Sequence, residues 1–253
     1  MALFSGVGVA LVTIFDRAGE IDGRATAAHA ADLAARGMRA VLVAGTTGEA
    51  ATLTASERGR LIGAVRSAVP AEVPVLAGTG AATGDEATAL TERAADAGAD
   101  AILAYPPPGS DDVSGFFAAV AKAAAGQPVL AYHVPWISAP GVPVQALPGL
   151  PVAGIKDSSG SADRLLDELS SYDGAVYVGS SALLALAGPM GGAGAILALA
   201  NVEPEACCRA FAGDAAAQRG LARAHLRVRA GGPAELKRML AGSRGCSPVS
   251  RVT

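Results

Sequence analysis

Eight short apolar runs, most of them followed by a longer amphipathic stretch, constrain this chain more than any other feature of its sequence. The runs are Val7–Thr13, Ala40–Ala44, Pro74–Ala77, Ala101–Ala104, Pro128–Tyr132, Pro151–Ile155, Ala175–Val178 and Gly194–Leu197. Each is brief and bounded by turn-forming residues, the pattern of a buried strand. Between them, helical spacing marks Arg24–Arg36, closed by Gly37, then Gly84–Ala97, Val113–Ala125, Ala162–Ser171 and Ala182–Ala187. One further helix starts at Thr54, where Thr-x-x-Glu with Glu57 is a capping box, and runs to about Val69 before Pro70. Regular strand–helix alternation argues for a parallel sheet with helices outside, and eight repeats make closure the natural arrangement. The expected fold is α/β, a TIM (β/α)8 barrel, for which 253 residues is an ordinary length.

Past Asn201 the pattern changes. Glu203–Gly213, Ala215–Arg229 and Pro233–Leu240 are helical in composition, and no strand separates them. Residues 1–201 are therefore expected to form the barrel core. Residues 202–253 supply the last barrel helix, a small C-terminal helical appendage and a tail, with a loop over residues 243–248, all in one structural unit.

Composition narrows the function classes. A chain 51% hydrophobic and 17% charged is globular, and a net charge of −3 with no basic run argues against nucleic acid or an anionic membrane surface as partner. No apolar run reaches membrane-spanning length, and Met1–Gly6 lacks the basic and apolar regions of a signal peptide. The three cysteines, Cys207, Cys208 and Cys246, show no CxxC spacing, which fits a reducing cytoplasm. His29, His133 and His225 lie in no ligand motif, so no metal is expected.

Three constellations carry chemistry. Lys156 ends the sixth apolar run, in Gly154-Ile155-Lys156-Asp157-Ser158-Ser159-Gly160. In a parallel barrel the C-terminal strand ends face the active site, and an amine held there among apolar walls loses hydration and can act as a nucleophile. Gly45-Thr46-Thr47-Gly48-Glu49 follows the second run, where glycines allow close backbone approach and two hydroxyls with N–H groups can receive a carboxylate. Tyr132, before His133-Val134-Pro135, ends the fifth run, next to the lysine strand, and its phenol is placed for general acid–base work.

Together these motifs resemble the dihydrodipicolinate synthase / N-acetylneuraminate lyase family of Schiff-base class I aldolases. The resemblance extends through Ala10-Leu11-Val12-Thr13-Ile14-Phe15-Asp16, Ile21-Asp22, Ala50–Thr54, Val75–Gly80, Gly98–Ala101, Gly194-Ala195-Ile196 and Asn201. It implies a cofactor-independent lyase or aldolase. Lys156 would condense with pyruvate or a related 2-oxo acid, and Tyr132 and Thr46 would move protons. Thr47 would hold the carboxylate, with Gly45 and Gly48 shaping its turn, and Ile196 would turn its carbonyl to the site. The resemblance further implies an aldehyde as second substrate and assembly as a homodimer or homotetramer.

The departures are informative. Ile137 stands where the synthases carry the arginine that binds the aldehyde's carboxylate, which speaks against aspartate semialdehyde and toward neutral or apolar partners. Ala104-Tyr105-Pro106-Pro107-Pro108 replaces the stretch that supplies a relay tyrosine to a neighbouring subunit, so either Tyr105 compensates or the relay is shortened. Gly179-Ser180-Ser181 stands where the family has Gly-Asp-Asp. Two other readings compete: a family member that binds 2-oxo acids without turnover, and a phosphate-binding barrel using Gly191–Gly194. Retention of Lys156, Tyr132, Thr46 and Thr47 favours the aldolase.

Overall fold

A computed structural model describes residues 2–252. Eight parallel strands close into a barrel in sequence order: β1 (Gly6–Ala10), β2 (Val41–Val43), β3 (Val75–Gly78), β4 (Ala101–Ala104), β5 (Val129–His133), β6 (Gly154–Asp157), β7 (Ala175–Val178) and β8 (Gly194–Leu197), with β8 returning to β1. The helices are α1 (Gly23–Ala35), α2 (Ala55–Ala68), α3 (Gly84–Asp96), α4 (Val113–Ala123), α5 (Ala162–Ser171), the short α6 (Leu184–Ala187), α7 (Pro204–Phe211) and α8 (Ala215–Arg244). The capping box at Thr54 forms with both of its hydrogen bonds, at 3.2 and 2.7 Å.

Alternation along each strand separates two cores. Val7, Val9, Val41, Val75, Ile102, Val129, Ile155 and Val176 face the helices, while Leu42, Leu76, Leu103, Leu130, Tyr177 and Ile196 fill the barrel interior. The interior stays filled at its base because Tyr177 stacks on Phe4 with ring centroids 4.6 Å apart, and its hydroxyl donates to the Phe4 carbonyl at 2.9 Å. Gly194 makes room for that ring, since a Cβ there would lie 3.0 Å from it.

Several boundaries differ from the sequence expectation, each for a local reason. β1 ends at Ala10 instead of Thr13, because side chains take over the backbone: Asn201 Oδ1 accepts the Val12 N–H and Thr13 Oγ1 donates to the Gly48 carbonyl. Asn201 also donates to the Ala10 carbonyl at 2.7 Å, so one buried amide ties β1 to the segment after β8. β6 begins at Gly154, not Pro151, and continues through Asp157. Lys156 thus lies within the ladder, paired in register with Tyr132 on one side and Tyr177 on the other. Residues 182–187 form a 3-10 turn and then a single α turn. The two expected C-terminal helices join as α8, broken only where Gly232 adopts φ 55° and Pro233 restarts the helix; α8 runs on to Arg244, so the tail begins later than expected.

The tail is strapped to the C-terminal end of the barrel strands. The Glu49 carboxylate is fully buried; one oxygen pairs with Lys237 of α8, and the other accepts from Ser250 Oγ and from the backbone N–H groups of Arg251 and Val252, at 2.9, 2.7 and 2.9 Å. Lys237 Nζ also donates to the Val249 carbonyl and lies 4.0 Å from the centroid of the Phe15 ring. The Arg251 guanidinium reaches the carbonyls of Gly19 and Thr52 and the Glu57 carboxylate. Behind β6, the buried Glu168 of α5 meets Arg164 Nε at 2.9 Å without hydrogen-bond alignment, while Asp157 lies 3.7 Å from the same nitrogen. Burial, then the Asp157 charge, push the Glu168 carboxyl up to about 8.

These two clusters give separate stability signatures. Glu49→Gln leaves the Lys237 ammonium buried without its counter-charge, so urea unfolding should show a loss of about 3–5 kcal/mol. Glu168 binds its proton more tightly folded than unfolded, so its contribution to stability falls as pH rises from about 4.5 to about 8. Glu168→Gln should accordingly gain on the parent protein by an amount on the order of a few kcal/mol between pH 5 and pH 8, read from urea midpoints at each pH.

Candidate active site

Period-two alternation turns Lys156 into the barrel mouth and its neighbour Asp157 outward toward α5. Lys156 is 4% exposed and opens onto a cavity of about 530 Å³ that is also lined by Thr46, Thr47, Tyr132 and Ile196. Its Nζ lies 4.4 Å from the centroid of the Tyr132 ring, and no carboxylate among the described residues pairs with it. The neighbouring position is fixed by register, since Tyr132 and Lys156 are direct partners across β5 and β6.

Asp157 does its work behind the site. Its carboxylate accepts the N–H and the hydroxyl of Ser159, both at 2.8 Å, which shapes the turn after β6. That turn brings the Ser158 hydroxyl to within 3.4 Å of the Tyr132 hydroxyl. Ser158 is thus the hydrogen-bonding neighbour of the phenol; Thr46 shares the cavity but makes no hydrogen bond to Tyr132 among the described residues. On the outer side of β5, His133 accepts the Val142 N–H through Nδ1, and burial, helped by the Arg164 charge, pulls its pKa down to about 4. It is a neutral structural histidine.

The Thr46–Thr47 turn is held from three sides. It is a 3-10 turn, Thr46–Gly48, flanked by left-handed backbone at Ala44 (φ 52°) and Glu49 (φ 59°). Gly78 at the end of β3 permits this path, because a Cβ there would stand 2.4 Å from the Ala44 carbonyl oxygen. Thr13 grips the Gly48 carbonyl at 2.7 Å, and the buried Glu49 carboxylate holds the exit. Non-glycine residues in the left-handed region persist where surrounding contacts over-determine them.

The remaining expected residues sit outside the cavity lining. Gly45 and Gly48 shape the turn: a Cβ at Gly45 would press on Leu42, and one at Gly48 on the Leu11 carbonyl. Ile137 packs against the barrel-interior cluster. Tyr105 packs edge-on to Tyr132, centroids 6.1 Å apart, and burial raises its phenol's pKa, the nearby Arg58 charge opposing. The sequence reading passed over Ser158, although it lies two residues from Lys156. It also passed over His225 and Arg229 of α8 and the exposed Trp136, which line the same cavity. Nothing local marks α8 as a wall of the site; only the closed fold brings it there. Among the described residues no cluster of three or more His, Cys, Asp or Glu side chains could hold a metal ion, and no helix is long and apolar enough to cross a membrane.

Residues 3–228 match the model of the dihydrodipicolinate synthetase family. The 4-hydroxy-tetrahydrodipicolinate synthase of Pseudomonas aeruginosa is 37% identical over 87% of this chain and 80% of its own length. The solved structure of YagE, a prophage protein of the dihydrodipicolinic acid synthase family from E. coli K12 in complex with pyruvate, superposes with a TM-score of 0.90 at 25% identity, covering 98% of this chain and 92% of that one. The chloride-inhibited dihydrodipicolinate synthase of Acinetobacter baumannii, also complexed with pyruvate, gives a TM-score of 0.88 at 25% identity, over 100% of this chain and 94% of its own. With the closed barrel, the buried strand lysine and a match over most of its length, this chain belongs to the dihydrodipicolinate synthetase family and is an enzyme of its aldolase and lyase class.

Proposed function

We propose that Lys156 of this enzyme forms a Schiff base with pyruvate or a closely related 2-oxo acid, and that a carbon–carbon bond to an aldehyde is then made or broken. The observation that carries this reading is the Lys156 amine, buried in the cavity against the face of Tyr132 with no carboxylate partner among the described residues. Pyruvate is supported by the two related structures that contain it.

The chemistry follows from that placement. The amine adds to the C2 carbonyl, and water leaves as Tyr132 delivers a proton to the departing hydroxyl, giving a protonated imine. The imine draws electrons from C3, which gives a proton to the Tyr132 phenolate left by the previous step and becomes an enamine, restoring the phenol. C3 then attacks the aldehyde carbon, the new alkoxide takes a proton from the phenol, and water hydrolyses the imine to release product and regenerate the amine. No metal or organic cofactor enters this sequence. Thr47 receives the 2-oxo acid carboxylate through its hydroxyl and N–H, on the turn shaped by Gly45 and Gly48, and the Ile196 carbonyl faces the same space. Thr46 and Ser158 are the hydroxyls that exchange protons with Tyr132, and the 3.4 Å separation favours Ser158 as the direct partner. Tyr105 supports the Tyr132 ring instead of joining the relay. Ile137, half-buried against the barrel-interior cluster and outside the cavity lining, is given no role in binding.

We assign the enzyme to the cytoplasm, consistent with its three free cysteines, and to a homodimer or homotetramer, as its relatives' resemblance implies. Light scattering coupled to size-exclusion chromatography checks the assembly.

Pyruvate plus borohydride should add one reduced adduct, located at Lys156 by peptide mass mapping and abolished in Lys156→Ala. An adduct at Lys122 or Lys237 instead would refute the assignment. Tyr132→Phe should lower turnover by ~10²–10⁴-fold while pyruvate still binds, as expected for a lost acid–base group. Ser158→Ala should slow turnover less, and Tyr105→Phe least of all; equal damage from Tyr105→Phe and Tyr132→Phe in steady-state assays would put Tyr105 in the relay.

A further inference from the structure

Besides the Tyr132 phenol, the titratable side chains on the cavity wall are the basic ones Lys156, His225 and Arg229; among the described residues no aspartate or glutamate lines it, although the whole chain carries a net charge of −3. A cleft lined by one sign of charge between low-dielectric walls concentrates potential and draws in anions. One anion, the 2-oxo acid carboxylate, balances the protonated imine at Lys156. Arg229, exposed at the cavity's outer wall, is then the cation without an anionic partner among the described residues.

Its surroundings support a binding role. Arg227 and Arg238, on the same helix, both pair with Glu235, whereas Arg229 has no ion-pair partner among the described residues. One turn before it on α8, His225 Nδ1 lies 2.8 Å from Ser181 Oγ, and Gln218 Nε2 donates to the Ser181 carbonyl at 2.9 Å. These contacts fix α8 against the turn after β7, so Arg229 extends from a braced helix. Burial, with the adjacent Arg229 charge, lowers the His225 pKa, so the imidazole is neutral and the guanidinium holds the charge. The rest of the polar lining is rich in serine hydroxyls, Ser158 and Ser180 among them.

We propose that Arg229 binds an anionic group, carboxylate or phosphate, on the acceptor aldehyde, so that the cavity takes two anions, one near Lys156 and one at α8. This rests on the Schiff-base reading above. It revises the expectation of a neutral acceptor, which was drawn from Ile137, a side chain that does not line the cavity. A guanidinium presents a planar fork that matches either oxyanion.

The test compares matched aldehydes with pyruvate as donor: succinic semialdehyde against butanal, and glyceraldehyde 3-phosphate against glyceraldehyde. The parent enzyme should prefer the anionic member of at least one pair by about tenfold or more in kcat/KM, the scale of one charge-assisted hydrogen bond. Which pair shows the preference distinguishes carboxylate from phosphate. Arg229→Gln should erase it mainly by raising KM for the anionic aldehyde, Arg229→Lys should restore part of it, and both should still give the pyruvate adduct at Lys156. A normal adduct with no anionic preference, or a preference that survives in Arg229→Gln, overturns this proposal alone. Absence of the adduct in the parent enzyme removes the Schiff-base reading and this proposal with it.

Discussion

Closure of the parallel ladder is the constraint on which the active site depends. Once β8 pairs with β1, every strand has two neighbours, and alternation decides for each residue whether it faces the helices or the barrel interior. At β6 this sends Lys156 in and Asp157 out. The register with β5 sets the amine beside the Tyr132 ring. A one-residue slip would exchange the two faces and put a carboxylate where the amine belongs. Asp157 uses its outward position to shape the following turn, so adjacent residues of one strand build the two sides of the same site.

A second interaction works at longer range. Glu49 leaves the Thr46–Thr47 turn in a left-handed conformation, and its carboxylate is gripped by Lys237 and by backbone N–H groups near the end of the chain. Removing a carboxylate from water is costly unless charge and hydrogen bonds replace its hydration, and here both do. The C-terminal segment thereby becomes part of the wall that holds the turn.

The charge pattern of the cavity fits the same architecture. The barrel strands supply an amine, a phenol and apolar walls, while α8 adds the histidine and arginine. Strand ends and an outer helix thus contribute different groups to one cavity, the arrangement by which one barrel fold can host many reactions.

By itself the sequence determined the number of strands, the alternation with helices, the capping box at Thr54 and the lysine, tyrosine and Thr-Thr motifs. All of these are local patterns of hydrophobicity or short spacing. Strand ends were less legible, because β1 stops where Asn201 and Thr13 take over its hydrogen bonds and β6 extends as far as its neighbours pair with it. The partner of the phenol was also decided by tertiary structure, since Ser158 reaches Tyr132 only through a turn shaped by Asp157. Ile137 stands out in the sequence from its place after a motif, whereas in the fold it is half-buried against the barrel-interior cluster and outside the cavity lining. His225, Arg229 and the Glu49–Lys237 pair join residues far apart in the chain. No local periodicity encodes such contacts; they exist because the barrel closes and α8 folds back across its mouth.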